Sequence, residues 1–231
     1  MSLKIVLKYL NSHPLTKQKK FSSLMRVLRW QIGMRLNPYP VIVPFINDTK
    51  LVVERGMAGA TANVYAGLHE FSDMGFLLHF LRESDCFIDA GANIGSYTIL
   101  ASGVRKAKSI SFEPSSTTYG KLLRNVRINN LDQLVQTHQI ALGSKKGTVN
   151  FTKLFDTVNH VLQDETSTNN SEAIALDSMD NIVGTLSLPT LLKIDVEGFE
   201  TEVLKGADSL LNNNNLKAII IELNGSGWRY G

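Results

Sequence analysis

The hydrophobic rhythm of the chain changes near residue 85. Before that point apolar residues recur at helical spacing. Leu24, Leu28 and Ile32, with Val27 beside them, share a face of a helix predicted over residues 21–34. Pro38, Pro40 and Pro44 then interrupt the chain, and VIVPFINDTKLVVERG reads as a hairpin that turns at Asn47 and Asp48 and returns through Val52 and Val53. Leu68, Phe71, Phe76, Leu78 and Leu81 predict a helix over about 67–82. From Cys86 onward, short apolar runs alternate with amphipathic stretches. Strands are predicted at 86–90, 109–113, about 135–142, 191–195 and 218–223, and helices at 95–104, 116–129 and 199–211. This alternation is that of an α/β protein with a doubly wound, mostly parallel sheet. The long interval before residue 191 holds a short strand at 148–153 and a polar stretch, QDETSTNNSE. A strand-to-helix turn follows at 173–180. The polar stretch has no period and reads as a mobile loop, either a lid or a plain surface excursion.

A chain of 231 residues with 43% apolar residues is enough for one domain with an added arm. The division is 1–64, a helical arm and hairpin, and 65–231, the α/β domain. No apolar run approaches the roughly 20 residues of a membrane span, and MSLKIVLKYLNSHP lacks the longer apolar centre of a secretory signal. The single cysteine, Cys86, falls in a predicted buried strand, which excludes an internal disulfide and favours a cytoplasmic setting. The net charge is only +3, and much of the excess lies early, in Lys4, Lys8, Lys17, Lys19, Lys20, Arg26, Arg29 and Arg35. No basic stripe interleaved with aromatics follows, so a nucleic-acid partner is not expected. The basic helix has three possible docks, its own domain, a twin subunit or a membrane surface. Packing on the domain or a twin is the plainer reading.

The candidate chemistry sits where strands end. CFIDAGANIGSYTILA joins a buried strand, a glycine turn and a helix start, with Asp89 where strand becomes turn. Gly91 and Gly95 suit a backbone that a ligand approaches closely, and the helix start offers N–H donors. Further on, Glu113 closes the run SISFEP, where a carboxylate can take both hydroxyls of a ribose. A dinucleotide turn, G-x-G-x-x-G, has glycine at its middle position, where this chain has Asn93. That difference favours a cofactor without phosphates, S-adenosylmethionine, over a nicotinamide dinucleotide. The bland alternative is a strand-turn-helix whose glycines serve only the bend. A second cluster, LLKIDVEGFE, puts Lys193, Asp195, Glu197 and Glu200 at the end of another strand. Alternation places Lys193 and Asp195 on one face, and a lysine inside an apolar strand needs an acid such as Asp195 or Glu222.

Taken together, FIDAGANIGSYTILAS, FEPSSTTYGKLLRNVRINN, LLKIDVEGFETEVLKGA and IIIELNGSG resemble the FkbM-type S-adenosylmethionine-dependent methyltransferases over about residues 65–231. NVYAGLHEFSDMGFLLHFL is similar to a helical lead-in of one branch of that family. The resemblance implies a class I, Rossmann-like methyltransferase fold and methyl transfer to oxygen on a sugar, a glycan or a small metabolite. It implies cofactor contacts at Asp89, Gly91, Asn93, Gly95 and Glu113, with Ile140 and Ala141 beside the adenine. Asp195 and Glu197 match its acidic block at the catalytic crevice, and His160 is a further candidate for substrate contact or proton transfer. Asn125 and Asn129 are expected to hold their helix in place. Proton removal from the acceptor falls either to a side-chain base or to a metal held by carboxylates. The family's usual closing helix and antiparallel hairpin have no counterpart in the eight residues after Leu223, so the last strand is expected at an exposed edge, as in a family member cut short. Two other functions compete with a methyltransferase. One is a weakly active or inactive remnant that binds S-adenosylmethionine or a protein partner, and the other is a nicotinamide-dependent oxidoreductase, against which Asn93 argues.

Overall fold

The computed structural model describes residues 3–152, 161–162, 171–184, 189–223, 225 and 227. Two helices lead, α1 (Leu3–Ser12) and α2 (Lys20–Leu36), followed by the antiparallel hairpin of β1 (Val41–Pro44) and β2 (Lys50–Val53), with Asn47 at φ 52° in its turn. Next come α3 (Ala58–Ala66) and α4 (Phe71–Phe80). Strand β3 (Cys86–Ala90) opens the alternating part. After it come α5 (Ser96–Thr98), running on as a π-helical segment (Ile99–Val104), then β4 (Lys108–Phe112), α6 (Ser116–Ile128) and β5 (Val135–His138). The chain continues through β6 (Ala141–Leu142), β7 (Gly147–Thr152), β8 (Val161–Leu162), β9 (Ser171–Asp177) and α7 (Met179–Val183). It ends in β10 (Leu191–Ile194), α8 (Glu200–Lys205), α9 (Asp208–Leu211) and β11 (Ala218–Ile221).

Five strands form a parallel sheet in the order β11-β10-β3-β4-β5. The chain works outward from β3 to β5 on one side and from β10 to β11 on the other, so the order reverses between β3 and β10. At such a point the connections leave in opposite directions and a crevice opens at the carboxyl ends of the strands. The strands are covered on both faces, which explains their continuous apolar runs. Ile88, Ala90, Phe112, Leu192 and Ile194 pack against Met179, Val203 and Leu210 on one face. Phe87 and Leu191 meet Leu77, Leu81 and Leu100 on the other. β11 is the outer strand of this sheet among the described residues, and Ile219 on it is exposed.

Four departures from the sequence reading have physical causes. The strand expected over 135–142 splits. Its first half pairs with β4, while Ala141 and Leu142 leave to pair with β9 in a second sheet, ordered β6-β9-β7-β8, so one apolar run serves two sheets. The helix expected over 199–211 breaks at Gly206, whose carbonyl accepts from the Asp180 N–H at 3.0 Å and whose Cα lies under the Gly143 carbonyl. Ser171 and Glu172, read as loop, pair with Thr152 and Phe151 as the start of β9. The rest of that polar stretch, 163–170, lies outside the described residues. Finally, the buried side of α2 shares only Val27 with the face read from the sequence. Ser23, Val27 and Met34 are buried, whereas Leu28 and Ile32 face solvent.

Candidate active site

The turn after β3 is shaped by its own protein neighbours. Gly91 has φ 80°, and a Cβ there would lie 1.8 Å from the Asp195 carbonyl oxygen. At Gly95, φ 88°, it would lie 2.5 Å from Leu122 Cδ1. The bare backbone predicted to receive a ligand is therefore already crossed by the end of β10 at Gly91 and by α6 at Gly95. Asn93, between them, takes the left-handed conformation (φ 52°), and its Oδ1 accepts from the Ile94 N–H at 2.7 Å. Its own N–H donates to Glu113 Oε2 at 2.9 Å, while Glu113 Oε1 accepts from the Ser115 N–H at 3.0 Å. Glu113 is thus fixed at the end of β4 with one N–H on each oxygen. Burial pushes its carboxyl up to about 7, against the pull of those two N–H groups. A carboxylate offers about four acceptor positions, so two remain for the paired hydroxyls of a ribose.

Asp89, Ser111 and Lys193 stand in register across three adjacent strands and form a polar row inside the sheet. Asp89 Oδ2 accepts from the Thr98 hydroxyl at 2.6 Å, and its Oδ1 is buried without a hydrogen-bond partner among the described residues. Burial raises its pKa, opposed by Lys193 and by the Thr98 hydrogen bond. Lys193 Nζ sits 2.8 Å from Asp195 Oδ2 and 4.8 Å from the centre of the Tyr97 ring. Burial works against its charge, yet Asp195 and Asp89 outweigh burial and hold the ammonium above its ordinary pKa. The Tyr97 hydroxyl donates to Glu70 Oε2 at 2.5 Å, and burial followed by the Glu70 charge raises its pKa. Of the two acids proposed as partners for Lys193, Asp195 holds it directly. A buried lysine paired in this way both satisfies its own charge and stiffens the strand end.

Two cavities flank the turn. Gly91, Asn93, Glu113, Ile140, Ala141, Asp195 and Glu197, all singled out in the sequence, line a narrow slot of about 60 Å³ together with Phe112, Phe151 and Phe199. Asp89 and Gly95 are not among its lining residues. The first lies beneath the turn, and the second starts the helix after it. His160 lies outside the described residues. On the other side of the turn, a chamber of about 360 Å³ shares Gly91, Asn93, Asp195 and Glu197 with the slot. The start of α3, Asn63, His69, Glu70, Tyr97, Lys193 and Glu222 also line it. Burial, then repulsion from Asp195 and Glu70, pushes Glu222 up to about 7. The His69 imidazole is lowered by burial, against Glu70, and the His69 backbone N–H donates to Asn63 Oδ1 at 2.8 Å. Among the described residues no group of three or more His, Cys, Asp and Glu is arranged to hold a metal ion.

Sequence reasoning missed the chamber side of the site, namely Asn63, His69, Glu70 and Tyr97. The one available signal was the His-Glu pair in the helical lead-in GLHEFS. Asn125 and Asn129 act as expected and also reach the hairpin. Asn125 Nδ2 donates to the Ile94 carbonyl at 2.8 Å and its Oδ1 accepts from the Val52 N–H at 2.7 Å, while Asn129 brackets Lys50.

A parallel sheet that reverses order at a glycine turn, with an acid at the end of the neighbouring strand, is a Rossmann-like α/β fold, the architecture that class I methyltransferases share. The family model described as methyltransferase FkbM domain matches residues 89–229, and the chain belongs to that family. It is similar to the hexuronic acid methyltransferase AglP of Haloferax volcanii, 32% identical over 149 residues, 64% of this chain and 59% of that protein. It is also similar to Methyltransferase 1 of Beauveria bassiana, 30% identical over 148 residues, 54% of this chain and 59% of that protein. The solved methyltransferase FkbM from Methylobacillus flagellatus KT aligns with a TM-score of 0.45 and 25% identity, covering 61% of this chain and 34% of that one. The chain spans about three fifths of the length of these two curated relatives.

Proposed function

We propose that the chain binds S-adenosylmethionine across the 91–95 turn and transfers a methyl group to a hydroxyl oxygen of a sugar, a glycan or a small metabolite. The observation that carries this reading is Glu113, buried at the rim of the slot, held on each oxygen by one backbone N–H and left with acceptor positions for a ribose. Ile140 and Ala141 border the adenine side of the slot. When bound, S-adenosylmethionine supplies an electrophilic methyl group on a sulfonium. Asp195 and Glu197, common to both cavities, stand where the cofactor and acceptor sides meet. The acceptor occupies the chamber, whose walls orient the hydroxyl and exclude water.

Proton removal falls to a side chain of the chamber. Asp195 has one oxygen tied to Lys193, whereas Glu222 is pushed up to about 7, where a carboxylate is an effective general base. We assign that role to Glu222, with Asp195 and Glu197 orienting the acceptor. Glu70, Asp195, Glu197 and Glu222 face the chamber with Lys193 as their one lysine or arginine among the residues described there, so an uncharged acceptor fits better than a carboxylated sugar. The setting is cytoplasmic, in keeping with the unpaired Cys86. No described helix is long and apolar enough to cross a membrane. The test is transfer of labelled methyl from S-adenosylmethionine to a panel of neutral glycosides and their uronic acid counterparts. Label on neutral hydroxyls, lost in Glu222→Gln, supports the reading. Label on uronates alone contradicts the acceptor class, and no transfer to any member contradicts the activity.

A further inference from the structure

We propose that α2 docks the protein on an anionic lipid bilayer, a property independent of methyl transfer. The helix has 17 residues, about 25 Å of length, and two unlike faces. Ser23, Val27 and Met34 face inward, where Val27 packs with Val6, Leu10 and Tyr65. Phe21, Leu28, Ile32 and Leu36 are 78%, 43%, 53% and 81% exposed and, at spacings of seven, four and four, lie along one stripe on the outward side. Tyr39, just past the helix end, is 72% exposed. A stripe of this kind on a helix already packed by its other face is left without a partner among the described residues.

Charge identifies the partner. No acid precedes Asp48, while eight lysines and arginines do, and every one of them is exposed. None of the eight takes part in an ion pair among the described residues. Since the whole chain carries only +3, the remainder is net acidic, and the positive potential belongs to the arm. A second copy seated on the stripe would bring the same eight cations against these. A nucleic acid would take up the cations and leave four large apolar side chains in water. An anionic bilayer answers both, with headgroups meeting the lysines and arginines and the acyl boundary receiving the stripe.

The test is flotation of the full chain with vesicles of phosphatidylcholine alone and of phosphatidylcholine with one quarter phosphatidylglycerol, at 0.1 and 0.5 M salt. Wild type should float with the anionic vesicles at 0.1 M salt, at least tenfold more than with neutral ones, and release at 0.5 M. The double variants Leu28→Glu/Ile32→Glu and Arg26→Glu/Arg29→Glu change only exposed positions, so thermal melting should be unchanged while anionic-vesicle binding falls at least tenfold. Absence of vesicle binding, or equal binding to both compositions, overturns the proposal. So does a wild-type dimer in sedimentation velocity that Leu28→Glu/Ile32→Glu dissociates, or RNA binding to which that variant is indifferent and which exceeds vesicle binding.

Discussion

Burial pushes both Glu113 and Glu222 up to about 7, and they make different predictions because they line different cavities beside the turn. Between its ordinary value of 4.5 and about 7, the folded protein keeps a proton on Glu113 that the unfolded chain has released. This contribution to stability is complete below 4.5 and is lost as the pH rises through 7. Ribose hydroxyls donate to the ionised form, so cofactor binding acts in the opposite sense. Affinity for S-adenosylhomocysteine should weaken by up to about tenfold per pH unit below 7, and Glu113→Gln should flatten that dependence while lowering affinity at pH 8. Titration calorimetry from pH 5.5 to 8 reads both. Glu222→Gln should leave that binding profile in place, reduce kcat by about 100-fold or more and remove the acidic limb of the kcat–pH curve. The sequence made Glu113 and Asp195 legible because each ends an apolar strand, where a carboxylate has no packing reason to be. His69 and Glu70 stayed hidden because their place in the chamber depends on how α4 and its lead-in meet the sheet, which local spacing does not encode.

At the scale of elements, the glycine turn is held by its crossing with β10 and by α6. Gly91→Ala forces a Cβ into the Asp195 carbonyl at a positive φ, a loss of roughly 3 kcal/mol or more. The ligand-free protein should melt at least about 6 °C lower, as measured by calorimetry without cofactor. A purely ligand-facing glycine would leave that melting point unchanged. Asn125 ties α6 to both the turn and the hairpin, and Asn125→Ala strands the Ile94 carbonyl and the Val52 N–H, costing roughly 2–4 kcal/mol in denaturant unfolding. The parallel strands were readable because burial on both faces leaves an uninterrupted apolar run. α3 was not, since AGATANVYA is mostly small residues with no apolar stripe. Which face of α2 meets the domain was not legible for a related reason. Its more apolar side is the outward one, and no spacing rule says which of two faces meets the domain.

Across the whole molecule, the arm and the sheet line one chamber. The start of α3 walls the chamber that β10 and the strand-end acids close from below, and the outer side of α2 carries the exposed stripe and cations. Asn63 links these parts, accepting from the His69 N–H and donating to Ser96 Oγ at 3.1 Å. Asn63→Ala should therefore raise the acceptor KM several-fold more than it changes cofactor affinity, a contrast that steady-state kinetics resolves. The overall class was legible from the order of strands and the four motif blocks. The union of arm and domain was not, because it rests on contacts between residues far apart in the chain, such as Asn125 with Val52. The central claim is that the slot beside Glu113 receives an adenosyl cofactor. Isothermal titration of the purified chain with S-adenosylhomocysteine tests it directly, run beside Glu113→Ala and a titration with NADH. One-to-one saturable binding in wild type, at least tenfold weaker in the variant and absent for NADH, is the expected result. A folded wild-type protein that binds no S-adenosylhomocysteine, or binds it equally well without the Glu113 carboxylate, would contradict the claim.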